Sequence, residues 1–192
     1  QKWDAIVIGS GLGGMTCGTL LAKAGKKVLM LERHYVPGGF THSFKRKGFE
    51  WDVGVHYVGQ VGKSNSILRK IFDYVSDRRI TWEPMGALYD QAIIQGSIYD
   101  FIIGRENQIQ KLVGYFPDEE VAIRKYMKLI HKAAASSAWF FGEKTMPAKK
   151  SKILGRFLRR RFENFCRQTT FEVVSSLTKN PRLISVLCAQ CG

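Results

Sequence analysis

The residues whose types and spacing can do chemistry are a cluster of glycines followed by one acid. Gly9-Ser10-Gly11-Leu12-Gly13-Gly14 gives the pattern G-x-G-x-x-G, and Glu32 stands about 18 residues after Gly14. Gly9 lets the chain leave a strand in a tight turn. Gly11 keeps side-chain bulk off an approaching pyrophosphate, and Gly14 lets the following helix pack close on a sheet. A helix that starts there offers unpaired N–H groups and the positive end of its dipole to two phosphates. An acid at the end of the next strand accepts hydrogen bonds from ribose hydroxyls and repels a 2′-phosphate. The chemistry is recognition of a dinucleotide.

That chemistry needs a βαβ unit to hold it. Asp4 to Ile8 is a β-branched apolar run suited to a buried strand, Met15 to Ala24 reads as a helix, and Gly25 sits where that helix stops. Lys27 to Leu31 supplies the second strand. Beyond it, Pro37-Gly38-Gly39 adds a further glycine pair, where a plain nicotinamide domain runs on into its next helix. From the residues alone the pair is either another close backbone approach or an ordinary turn.

Taken together, the glycine turn, Glu32, Gly38-Gly39 with Ser43, and the run Gly48 to Tyr57 (GFEWDVGVHY) resemble the start of the flavin amine oxidase and phytoene desaturase superfamily. Within it they look most like the retinol saturase (all-trans-retinol 13,14-reductase) and carotenoid desaturase and isomerase branch. The segment Ala22 to Lys27 and the run Gly54-Val55-His56-Tyr57-Val58-Gly59 carry the retinol saturase likeness. It is strong over residues 4–59 and diffuse afterwards. Phe40 departs from the pattern, standing where the superfamily has arginine or the retinol saturases cysteine.

The resemblance implies an α/β chain: a Rossmann-like FAD-binding βαβ unit, then a mixed β-hairpin and helical substrate region, with the fold incomplete at the C-terminus. Residues 1–75 would be the N-terminal part of the FAD-binding domain, and 76–192 part of a substrate or cap region. FAD is the implied cofactor, with NAD(P)H a candidate external electron donor. Gly9, Ser10, Gly11, Leu12, Gly13 and Gly14 would meet the pyrophosphate and Glu32 the ribose, with Arg33 beside it. Gly38, Gly39 and Thr41 would lie close by, and Gly54 to His56 would approach the flavin ring. The implied substrate is a hydrophobic retinoid or carotenoid-like polyene, whose carbon–carbon double bonds are saturated, desaturated or isomerised. No acid or base in the chain is assigned as catalytic, and His56 reads more simply as a structural histidine. Two rivals are an NAD-dependent dehydrogenase and a non-enzymatic prenyl-lipid escort of the GDP-dissociation-inhibitor type.

Composition sets the outer bounds. The chain has 192 residues, 45% of them apolar, which is enough for a packed core and argues against wholesale disorder. The first strand follows Gln1 almost at once, and no second dinucleotide-like segment precedes Gly192, as expected of the amino-terminal fragment of a longer enzyme. The formal charge of +14 favours an anionic partner and is concentrated between Lys144 and Arg167. No nucleic-acid motif accompanies it, which argues against nucleic acid. Cys188-Ala189-Gln190-Cys191 has metal-ligand spacing, but no second pair or histidine cluster joins it, so buried thiols and no metal site are expected. This cysteine usage suits a reducing compartment or a cytosolic face. No apolar run approaches the ~18 residues of a spanning helix.

Further along, Phe44 to Asp52 is predicted as a hairpin turning at Lys47-Gly48, with Phe44, Phe49 and Trp51 supplying apolar contacts. Ile67 to Val75 is predicted as a helix, Thr81 to Pro84 as a short strand, and the segments flanking Gln95-Gly96-Ser97 as a second hairpin whose aromatics serve sheet packing. Helices are predicted from Pro117 to about His131 or beyond, near Thr170, and from Asn180-Pro181. Between Lys149 and Arg167, Ile153, Leu154, Phe157, Leu158, Phe162 and Phe165 recur at helical spacing among many basic residues. That pattern fits either a helix lying in an anionic membrane interface or a core helix with a solvated basic face. The first reading places the protein peripherally on a membrane, at the cytoplasmic face or the endoplasmic reticulum.

Overall fold

Alternating strand and helix patterns near the start of the chain give way to helical periods after residue 104, and the architecture follows that change. The computed structural model describes residues 2–55 and 57–190. It divides into two compact units, one through Pro84 and one from Met85.

In the first unit, β1 (Ala5–Ile8) and β2 (Val28–Leu31) pair in parallel, with Ala5 opposite Val28 and Ile8 opposite Leu31. The crossover between them is α1 (Leu12–Lys23). Gly25, at φ 78°, ends it: the Gly25 N–H donates to Ala22 O and the Lys26 N–H to Leu21 O, a left-handed cap that satisfies the helix's last carbonyls. α1 lies close on the sheet because Gly18 faces it; a Cβ there would come within 2.9 Å of Met30 Cε. β3 (Ser43–Arg46) and β4 (Phe49–Asp52) form the expected hairpin, with Lys47 and Gly48 both at positive φ. Its aromatics depart from expectation: Phe44, Phe49 and Trp51 are exposed, because no other element among the described residues covers this two-stranded sheet. α2 (Ile67–Val75) starts at Ser66, whose Oγ accepts from the Arg69 N–H. Thr81 to Pro84, predicted as a strand, runs without regular structure, since no strand among the described residues offers it a ladder to join.

The second unit has a closed core. The antiparallel hairpin of β5 (Leu88–Ile94) and β6 (Ser97–Ile102) turns at Gln95-Gly96. Around it stand α3 (Arg105–Tyr115), α4 (Glu120–Lys144), α5 (Ala148–Cys166), α6 (Thr170–Leu177) and α7 (Pro181–Cys188). Tyr99 and Phe101 point into a cluster with Ile109, Leu112, Ile123, Tyr126, Val174, Leu183 and Val186, so the hairpin aromatics do serve packing. Local sequence fixes the helix starts. Thr169 and Glu172 form a reciprocal capping box, and Asn180 Oδ1 accepts from the Arg182 and Leu183 N–H groups. α4 extends well beyond His131, to Lys144, because α5 packs back along its end. That contact centres on Glu143, whose buried carboxylate takes a 2.9 Å hydrogen bond from Arg159 and another from the Ser151 hydroxyl.

Candidate functional site

The first unit assembles its site from backbone. The Gly9 N–H donates to Leu31 O across the strand pair, and at φ 94° Gly9 turns the chain out of β1. Gly14 then passes so close to that turn that an added Cβ would sit 2.0 Å from Gly9 O. Around Gly9, Gly11 and Gly13, by contrast, a Cβ would meet nothing within 4 Å. The loop is therefore closed on its inner side and open on its outer side. No side chain caps α1 at Gly11 and its first turn holds no acid, so the N–H groups of Leu12, Gly13 and Gly14 keep their positive end for an outside anion.

The two glycine motifs, separate in sequence, are brought together. Gly11 and Gly38 form a parallel β-bridge, and a Cβ on Gly39 would fall 3.0 Å from Gly11 Cα. Ser10, almost completely buried, ties the pieces. Its hydroxyl donates to Glu32 Oε2 at 2.6 Å, and its Oγ accepts from the Gly38 N–H at 3.1 Å. Its own N–H donates to the same carboxylate oxygen at 2.7 Å. Glu32 Oε1 takes the His34 N–H at 2.8 Å. These donors, the His34 N–H first and then the Ser10 hydroxyl, hold the Glu32 carboxyl down to about 2 from its ordinary 4.5. An exposed acid at the strand end is thus fixed in place and permanently ionised at neutral pH.

The second glycine pair forms its own turn. Thr41 Oγ1 donates to Gly38 O at 2.7 Å, closing a 3-10 turn over Gly39–Thr41. The chain after β4 returns to it, the Val53 N–H donating to His42 O and the Val55 N–H to Phe40 O. Gly54 therefore packs against Phe40, where a Cβ would lie 3.0 Å from Phe40 Cβ. The Phe40 ring itself is exposed, as is Arg33. His56 lies outside the described residues. Sequence reasoning gave Ser10 no reason for its place and overlooked Gly18; the signal available was a small polar residue between two glycines and a further glycine inside the helix.

An open cradle of bare backbone N–H groups beside a fixed carboxylate fits a pyrophosphate joined to a ribose. The family model matching residues 7–75 is that of an NAD(P)-binding Rossmann-like domain. Over 97% of its length it is 39% identical to a protein of Rattus norvegicus named all-trans-retinol 13,14-reductase, of which it covers 32%. It is also 32% identical to a Danio rerio protein named inactive all-trans-retinol 13,14-reductase, over 98% of the chain and 33% of that protein. Prolycopene isomerase 1, chloroplastic, of an Oncidium hybrid cultivar aligns with the whole chain at 29% identity and is itself covered to 33%. The chain spans about a third of the length of the curated relatives it matches. The likeness to the retinol saturase and carotenoid isomerase branch is thereby borne out, together with a dinucleotide-binding Rossmann-like unit in an α/β chain.

Among the described residues no group of histidine, cysteine and acid side chains is placed to hold a metal ion. Cys17 and Cys166 are exposed, and Cys188 ends α7 partly buried. Cys191 lies outside the described residues. No helix among the described residues is long and apolar enough to cross a membrane.

Proposed function

We propose that this chain supplies the adenine-dinucleotide end of an FAD site in an oxidoreductase that acts on carbon–carbon double bonds of retinoid or carotenoid-like polyenes. The observation that carries the reading is the docking of Gly38-Gly39 onto the glycine loop, with Ser10 linking both to Glu32. A single glycine turn suffices for a nicotinamide domain. A second bare segment laid against it extends the cradle, which suits the longer flavin cofactor.

In this reading Gly9, Ser10, Gly11, Leu12, Gly13 and Gly14 surround the pyrophosphate, and Glu32, with Arg33 beside it, binds the adenosine ribose. Gly38, Gly39 and Thr41 hold the second turn against the loop. The residues bind and orient; FAD, when bound, supplies the hydride chemistry, and NAD(P)H is a candidate external donor. Residues 1–75 belong to the cofactor domain and 76–192 to the substrate region. A cavity of about 770 Å³ in the second unit, lined by Tyr89, Phe101, Leu112, Tyr126 and Met127 among others, supports an apolar substrate there. In the same reading the protein sits peripherally on a membrane, at the cytoplasmic face or the endoplasmic reticulum, and its charge serves lipid contact rather than nucleic acid.

The matching family model favours a second reading, in which the same cradle holds NAD. The visible spectrum of the purified full-length protein separates the two, since this chain carries only one end of the site. Flavin absorption with release of FAD on denaturation is expected. A colourless protein that binds NAD supports the second reading, and one that binds neither dinucleotide overturns both. Because the relatives include one named inactive, turnover of retinol against carotenoids under anaerobic reduction is the test of activity itself.

A further inference from the structure

α5 has two apolar faces, and only one of them packs inside the protein. On the inner face Phe162 lies 5.1 Å from the Phe140 ring, Gly155 is buried at the crossing, and Arg159 reaches Glu143. A Cβ on Gly155 would sit 2.7 Å from Glu143 Oε1, so the crossing admits nothing larger. On the opposite face Ile153 and Phe157, one turn apart, are 79% and 81% exposed, with Leu154 half-exposed beside them. At 3.6 residues per turn, Lys149, Arg156 and Arg160 line one side of this stripe and Lys150 and Arg161 the other. All five cations are exposed, and none is in an ion pair among the described residues. The only acid of the helix, Glu163, is paired with Arg159.

We propose that this outer face of α5 is a docking surface for a bilayer containing anionic phospholipid. The helix would lie flat, with Ile153 and Phe157 inserted among the acyl chains and the two basic rows on headgroup phosphates. The charge pattern selects this occupant. A polyanion alone, such as RNA, would satisfy the cations and leave a large aliphatic and a large aromatic side chain in water. A neutral apolar groove would take those two and strand the cations. An interface that is apolar inside and anionic at its surface answers both rows and the stripe between them. The buried Glu143–Arg159 pair and the close approach at Gly155 hold α5 against α4, so the face is formed before lipid arrives.

Flotation of the purified protein with vesicles tests this. It should float with phosphatidylcholine vesicles that contain phosphatidylserine, stay behind with phosphatidylcholine alone, and detach as salt is raised. Ile153→Ser/Phe157→Ser should lower partitioning at least about tenfold. Arg156→Gln/Arg160→Gln should lower it about fivefold for each charge removed. Circular dichroism should be unchanged in both, and Phe157→Ser alone replaces the apolar pair if that pair loses helix. No flotation on anionic vesicles, whether or not the protein retains RNA, overturns the proposal. So does flotation that the apolar variant leaves intact, which marks unspecific adsorption of a basic protein. Lipid is the only ligand present, so the outcome is independent of the flavin spectrum.

Discussion

The two units use opposite strategies. The unit from Met85 encloses a cluster of large apolar side chains contributed by β6, α3, α4, α6 and α7, several of them wholly inaccessible. In the unit through Pro84, Val61 is the only buried apolar side chain among the described residues. Ile8 there is 86% exposed at the strand end, and Leu31 on β2 is half-exposed. What is tightly packed in the first unit is backbone: Gly14 on Gly9, Gly39 on Gly11, Gly38 on Ser10. A core resists change through the volume of its side chains, whereas a cradle resists it through the absence of them. The chain spans about a third of the length of the curated relatives it matches, and the sheet residues Ile6, Ile8 and Leu31 of the first unit stay exposed.

The largest expected effect sits in the second unit. Ile123 is fully buried, and Ile123→Ala should cost about 2–5 kcal/mol in urea unfolding followed by far-ultraviolet circular dichroism. A loss under about 1 kcal/mol, the size typical of a surface change, would mean that this core is loose and would break the comparison.

Next comes the cradle. Gly14→Ala forces a methyl against the Gly9 carbonyl, a clash of backbone on backbone that should cost about 1–3 kcal/mol. Dinucleotide binding should be lost with it, read by titration calorimetry and by amide exchange at Ser10 and Gly38. Gly13→Ala meets nothing within 4 Å and, as a helix substitution, should raise stability by about 0.5–1 kcal/mol while still weakening the cofactor. If both substitutions behave alike, the cradle is not closed inside and open outside.

The smallest effect belongs to Glu32. Glu32→Gln should weaken dinucleotide binding about tenfold by replacing a charged acceptor with a neutral one. The acid also ties stability to pH. Its folded value of about 2 lies below the ordinary 4.5, so the stabilisation is fully present above that ordinary value. It is lost as the pH falls from there through the folded value. A carboxyl-carbon titration by NMR checks the value, and a Glu32 that titrates near 4.5 would mean that the Ser10 and His34 donors are not holding it.

Much of this was legible before any coordinates. The glycine turn, the helix behind it and both positive-φ hairpin turns follow from residues whose backbone preferences act within a few positions. The same holds for the starts at Asn180 and Thr169, where a side chain caps the helix that follows it directly. The failures share a cause as well. Phe44, Phe49 and Trp51 have the composition of a packed hairpin, yet whether a strand face is covered depends on chain far away in sequence. Thr81 to Pro84 has strand composition and no partner strand. The expectation for α4 left its end open beyond His131, and packing against α5 accompanies its continuation to Lys144.

From sequence alone came the glycine-rich loop, the acid that follows it, and a basic helix whose apolar residues recur at helical spacing. Tertiary structure decided that the two glycine pairs are one site joined through Ser10, because a hydrogen bond spanning 28 residues leaves no trace in local spacing. It also decided which apolar face of α5 turns inward. Gly155 and the charge on Arg159 can be read in the chain, but the buried Glu143 that claims them comes from another helix.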